Sequence, residues 1–149
     1  MGYAQNRAGQ EIVLVQGTLK EQLVGITRKA MESNTQMPIE KLAREIFKGY
    51  KGIELWQARR IAQTETMIGL ADAGEVAARS LGIRYDKQWV ISGLGNTRET
   101  HEIMDGVVVD MDEPFTLPDC QMMYPHDSSL GAPAGEIINC ACDVLHIPK

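Results

Sequence analysis

The stretch from Glu54 to Leu81 constrains the fold more than any other part of the chain. It holds no proline, consists mostly of good helix formers and runs into Gly82, a residue suited to ending a helix in a left-handed conformation. The spacing predicts one long helix with Ala58, Ile61, Ala62, Glu65, Ile68, Gly69, Ala73 and Val76 on its inner face. Small residues on that face let another element pack closely. A helix of this length needs covering elements, and the rest of the chain has to supply them.

Before it, Gln10 to Val15 reads as a short strand. Thr18 can cap a helix to about Met31 with Leu19, Leu23, Ile26 and Ala30 in one stripe. A second helix begins at Pro38, buries Ile39, Leu42, Ala43 and Ile46, and ends between Gly49 and Gly52. These two read as a helical hairpin. After Gly82 the pattern changes to strands and turns: a strand at Tyr85 to Ser92 carrying Trp89, a turn at Gly93 to Asn96, a helical turn at Thr97 to Met104 and a strand at Gly106 to Val109. Prolines and glycines make Glu113 to Gly135 irregular, and a strand at Ile137 to Ile147 closes the chain. The predicted class is α+β in one domain over residues 1–149. Helices occupy about 1–82, and a small, mainly antiparallel sheet with long loops occupies about 83–149.

Composition narrows the function. With 149 residues, 44% hydrophobic and 23% charged, the chain has the make-up of an ordinary globular domain. A net charge of -5 argues against a broad electrostatic grip on nucleic acid. No apolar run approaches the roughly 18 residues that span a bilayer, and the polar start, Met1 to Gln10, lacks a signal-peptide core. The expectation is a soluble chain without membrane partners or an export signal. Three cysteines suit a reducing cytoplasm during synthesis.

Several residues could carry chemistry. Helical spacing places the Glu65 carboxylate among apolar neighbours, where it needs a partner, and Arg98 or His101 is expected to supply it as a buried ion pair. Arg98, His101 and Asp105 are spaced to share one side of a short helix, which would make His101 either a general base or a histidine hydrogen-bonded within the fold. Asp105-Gly106 is also a turn signal. Cys140 and Cys142 would share one face of the closing strand. Reduced packing thiols are the favoured reading, a disulfide from Cys120 to one of the pair is an alternative, and a zinc site drawing on Cys120, His101, His126 or His146 is another. No Cys-x-x-Cys occurs, nor any common nucleophile, phosphate-loop or zinc-protease motif, so neither a metal nor another cofactor is expected. Trp56, Trp89, Phe47 and Phe115 are explained by core packing.

Taken in order, one series of residues is distinctive. Arg60-Ile61-Ala62-Gln63-Thr64-Glu65-Thr66 lies on the long helix, followed by Gly82, Trp89, Arg98-x-x-His101 and Asp105-Gly106. Pro125-x-Asp127, Glu136 and Asn139-Cys140-x-Cys142 complete it. The series resembles the phage Mu F-like minor head proteins, also called phage head morphogenesis proteins, over about Leu55 to Val144. Thr64 and Glu65 match the family's helix motif, with Gln63 where arginine is usual. Asn139, Cys140 and Cys142 match its closing motif, with Ala141 in place of arginine. Many relatives carry Cys-Pro-x-Cys where this chain has Arg98 and His101, which counts against a four-cysteine metal site.

The resemblance implies a structural minor capsid component of a tailed phage, made in the host cytoplasm and carried in the virion. Its implied partners are the portal or major capsid protein and the packaged DNA, and catalysis is not implied. An enzymatic alternative makes Glu65, Arg98, His101 and Glu136 a hydrolase or transferase site for nucleic acid or nucleotide. A DNA-binding module is disfavoured by the acidic balance.

Overall fold

The computed structural model describes residue 25 and residues 38–49, 52–93 and 97–149. The expected strand at Gln10 to Val15 lies outside these residues, as does the expected helix from Thr18 apart from Gly25, which is helical. The chain divides into two compact units, Met1–Thr66 and Met67–Lys149.

In the first unit, α1 (Ile39–Gly49) buries Leu42, Ala43 and Ile46 and exposes its charged residues. Pro38 sits just outside it, and its carbonyl accepts from the amides of Lys41 and Leu42. The long helix α2 (Leu55–Ser80) begins at one half of a capping box. The Gln57 side chain accepts from the Glu54 amide at 2.7 Å, while the Glu54 carbonyl accepts from the Ala58 amide. A two-pronged ion pair between Arg59 and Glu40, at 2.9 and 3.0 Å, links the two helices. Both side chains are half exposed, so this pair sets orientation more than stability.

The buried stripe of α2 follows Ala58, Ile61, Ala62, Glu65 and Ile68 as the periodicity predicts, then departs from it. Ala73 and Val76 are exposed, and the stripe continues through Ala71, Asp72 and Glu75. Glu75 is tolerated inside because it is well partnered: Tyr85 Oη donates to it at 2.8 Å, and His146 Nε2 lies 3.0 Å away. Gly82, with φ of 69°, adopts the left-handed conformation that ends the helix.

The second unit is organised on β1 (Tyr85–Val90), the middle strand of an antiparallel sheet with β2 (Val108–Asp110) on one side and β5 (Asp143–Pro148) on the other. Tyr85, Lys87 and Trp89 alternate inward along β1. Trp89 packs edge-on against Phe115 and His101, and joins Ile68, Met104, Leu117, Met122, Ile137, Cys140, Cys142 and Val144 in one apolar core. Lys87 is fully buried. Its ammonium donates to the carbonyls of Glu113 and Met123 at 2.8 and 2.7 Å and lies over the Phe115 ring, and burial pushes its pKa down.

Between β1 and β2 a short helix, α3 (Glu99–Glu102), fulfils the helical turn expected there. Two segments differ from expectation. The irregular loop contains a small antiparallel pair, β3 (Phe115–Thr116) and β4 (Gln121–Met122), which carries Phe115 and Met122 into the core. The closing strand starts only at Asp143. Ahead of it, α4 (Ala134–Ile137) follows Pro133, and Cys140 and Cys142 lie in the connecting segment rather than on a strand. Among the described residues, no helix is long and apolar enough to cross a membrane.

Candidate functional site

The chemistry of the second unit converges on His101. The α3 helix opens after Arg98, whose carbonyl accepts from the amides of His101 and Glu102, and the helical turn directs His101 inward until its side chain is fully buried. Opposite it, the chain leaves α4 through Ile138, and Asn139 adopts a left-handed conformation with φ of 56°. Asparagine tolerates this better than other residues with a Cβ. Cys140 and Cys142 then both enter the core, while Ala141 is half-buried between them.

The result is a compact donor cluster. His101 Nδ1 lies 3.5 Å from each of the Cys140 and Cys142 sulfurs, and the three atoms fall within 4.8 Å of one another. On the other edge of the ring, His101 Nε2 is 2.7 Å from Glu136 Oε2, which also accepts from Thr100 Oγ1 at 2.9 Å. The Cys142 amide donates to the Cys140 sulfur at 3.4 Å, and His126 Nε2 meets the Cys142 carbonyl at 2.8 Å. The hydrogen bond from the Cys142 thiol, opposed by burial and assisted by His101, pulls the Cys140 pKa down; the same bond and burial push that of Cys142 up. A water-sized pocket opens here, bordered by Ser92, Thr97, Arg98 and Asn139 as well as by the cluster.

Arg98 holds the segment in place. Its guanidinium donates to the carbonyls of Glu136 and Ile138 at 3.3 and 2.6 Å, at the end of α4 where carbonyls lack helical partners. Arg98, His101 and Glu136 are therefore brought together, whereas Asp105 is not part of this group. It is exposed, lies in the turn beyond α3 and accepts from the Ile91 amide, so His101 is paired with Glu136 and not with the acid four residues further along the chain. Gly106, with φ of 78°, turns the chain back to β1 and donates its amide to the Trp89 carbonyl. Thr64 and Glu65 are fully buried on α2 in the first unit.

All three cysteines are free. Cys120 is half-buried against the core, where burial and the nearby Asp119 push its thiol up to about 11, and it does not belong to the donor cluster. His146 joins Glu75 instead, and His126 holds a carbonyl. The organising roles of Lys87, Glu75 and His126 were missed in the sequence. Their signal is weak, because a lone buried charge on a strand or helix is indistinguishable from a solvated one until its partners are known.

The family model for phage Mu protein F like proteins matches residues 16–145. The chain belongs to this family. Membership agrees with the ordered series from the α2 motif to Asn139-Cys140-x-Cys142. The chain is also similar to an NAD(+)–arginine ADP-ribosyltransferase, EFV, of Enterococcus faecalis, with 35% identity over 94 residues. That alignment covers 61% of this chain and 19% of the relative, so the chain spans about a fifth of the curated protein it matches. No solved structure matches the chain.

Proposed function

We propose that this protein is a structural minor head protein of a tailed phage, made in the host cytoplasm and built into the head close to the portal. The observation that carries this reading is the family match across residues 16–145, which takes in both units. The site geometry is consistent with a scaffold. Arg98 is committed to two backbone carbonyls, Glu136 to His101 and Thr100, and the adjoining pocket is only water-sized. A hydrolase or transferase using Glu65, Arg98, His101 and Glu136 would need an open cleft for a nucleotide, and the part of the ADP-ribosyltransferase that aligns here is a small share of that enzyme. On this reading the partners are the portal or major capsid protein, with packaged DNA as a further contact during packaging or ejection.

The test is to tag the chain in the phage that encodes it and to analyse purified proheads and mature heads by mass spectrometry and electron microscopy. The expected result is a fixed, low number of copies at the portal vertex, and malformed or unfilled heads when the gene is deleted. Full recovery of the chain outside heads, with normal heads in the deletion, overturns the reading.

A further inference from the structure

We propose that His101, Cys140 and Cys142 form a zinc-binding site, with His101 Nδ1 and the two thiolates as protein ligands and a water as the fourth. The distances carry the proposal. Tetrahedral zinc with Zn–S of about 2.3 Å and Zn–N of about 2.0 Å separates nitrogen from sulfur by about 3.5 Å. That is the separation of His101 Nδ1 from both sulfurs.

The surroundings support it independently. A zinc-ligating imidazole characteristically gives its other N–H to a carboxylate, which fixes the tautomer and the ring orientation. Glu136 Oε2 lies at ion-pair distance from that edge of the ring, 2.7 Å from His101 Nε2, and is itself held by Thr100. The Trp89 edge, 5.1 Å between centroids, fixes the ring from a further side. The backbone of the two cysteines is equally constrained, by Arg98 on the Ile138 carbonyl and by His126 on the Cys142 carbonyl. An amide donating to the Cys140 sulfur suits a metal-bound thiolate. Two thiolates and one imidazole select a borderline-soft ion such as zinc over magnesium or calcium, which demand oxygen ligands.

Both sulfurs bind as thiolates, and their two negative charges balance the dication. The pocket bordered by Thr97, Arg98 and Asn139 has room for the water on the fourth coordination position. The ion would tie α3 to the segment following α4. The site is independent of where in the head the protein resides.

The experiment uses the full chain, purified under reductant, stripped with a chelator and then refilled with zinc chloride or cobalt chloride. Elemental analysis after dialysis is expected to give one zinc per chain. The cobalt form is expected to show thiolate-to-cobalt charge transfer and the visible bands of a tetrahedral site, both lost in Cys140→Ser and Cys142→Ser. Because these substitutions touch the core, Glu136→Gln provides a milder variant: it is expected to retain the parent circular dichroism and to bind zinc about 10–100-fold more weakly. A reduced, folded parent that takes up neither metal overturns the proposal. So does zinc retained at full stoichiometry by the folded Cys140→Ser/Cys142→Ser double variant, or a Cys140–Cys142 disulfide that persists in place of metal under reductant.

Discussion

Glu136 Oε2 lies 2.7 Å from His101 Nε2, and this one contact joins two short helices separated by more than thirty residues of loop and strand. Glu136 is nearly buried and Thr100 shares the same oxygen, so replacing it with alanine removes the ion-pair partner of His101 and the acceptor of the Thr100 hydroxyl together. Glu136→Ala is expected to lower stability by about 1–3 kcal/mol, with Glu136→Gln losing less because an amide oxygen still accepts. Urea denaturation of the three proteins checks this, and an Ala variant with the parent midpoint would show that the contact contributes nothing.

Arg98 acts on the same segment through its backbone. Its planar fork reaches two carbonyls at once, which an ammonium group cannot match. Arg98→Ala should cost about 2 kcal/mol, and Arg98→Lys should recover only part of it. Amide exchange supplies the specific readout. In both variants, exchange is expected to accelerate at Cys140 and Cys142 before it does in β1. Acceleration spread evenly over the sheet would mean that Arg98 stabilises the unit generally and does not clamp this segment.

The long helix, the Trp89 strand and the α+β class were legible in the sequence because each rests on a local signal: an uninterrupted run of helix formers, inward alternation and turn residues at Gly82 and Gly106. The site was legible only in its parts. Cys140, Ala141 and Cys142 are buried, half-buried and buried, a period that a strand shares, but α4 and Asn139 shape this segment differently and the strand starts only at Asp143. The spacing of Arg98, His101 and Asp105 leaves open whether His101 is a general base or is held within the fold, because its partner, Glu136, is set by tertiary packing. On α2 the apolar identity of Ala73 and Val76 outweighed the phase of the helix. That phase buries Asp72 and Glu75, and no local rule reports that Tyr85 and His146 wait for Glu75.

Tyr85 makes that buried network sensitive to alkali. Burial and the hydrogen bond to Glu75 raise its phenol from 10.0 to about 12. The unfolded chain therefore releases this proton first as pH rises. The stability that Tyr85 contributes is fully present below pH 10 and is lost as pH approaches about 12. The expected result is that the parent's advantage over Tyr85→Phe in denaturation midpoint shrinks across this interval and is constant below it. A constant difference through the whole interval would exclude the proton linkage. On the acid side burial raises the Glu75 carboxyl, but hydrogen bonds from His146 and Tyr85 and the nearby Lys87 and Arg79 outweigh it, holding the group below its ordinary 4.5. Its contribution is therefore lost only as pH falls below that value.

Asp127 gives the Pro125-x-Asp127 motif a physical role. Its carboxylate is almost completely buried and accepts from the Met123 amide at 3.0 Å, the Ser129 amide at 3.0 Å and the Ser129 hydroxyl at 2.8 Å. These bonds fold the loop around His126, whose left-handed backbone, φ of 73°, is sustained by the surrounding contacts and by its own bond to the Cys142 carbonyl. Asp127→Ala removes three acceptor contacts at once. It is expected to cost about 1–3 kcal/mol and to expose the loop to limited proteolysis. Asp127→Asn keeps one carbonyl oxygen but turns an N–H toward a donor, so its cost should fall between alanine and the parent. Cleavage mapped to residues 123–131 in the alanine variant, ahead of global unfolding, is the decisive outcome. If cleavage appears only once the whole unit melts, Asp127 contributes to the fold as a whole and not to the loop that positions His126.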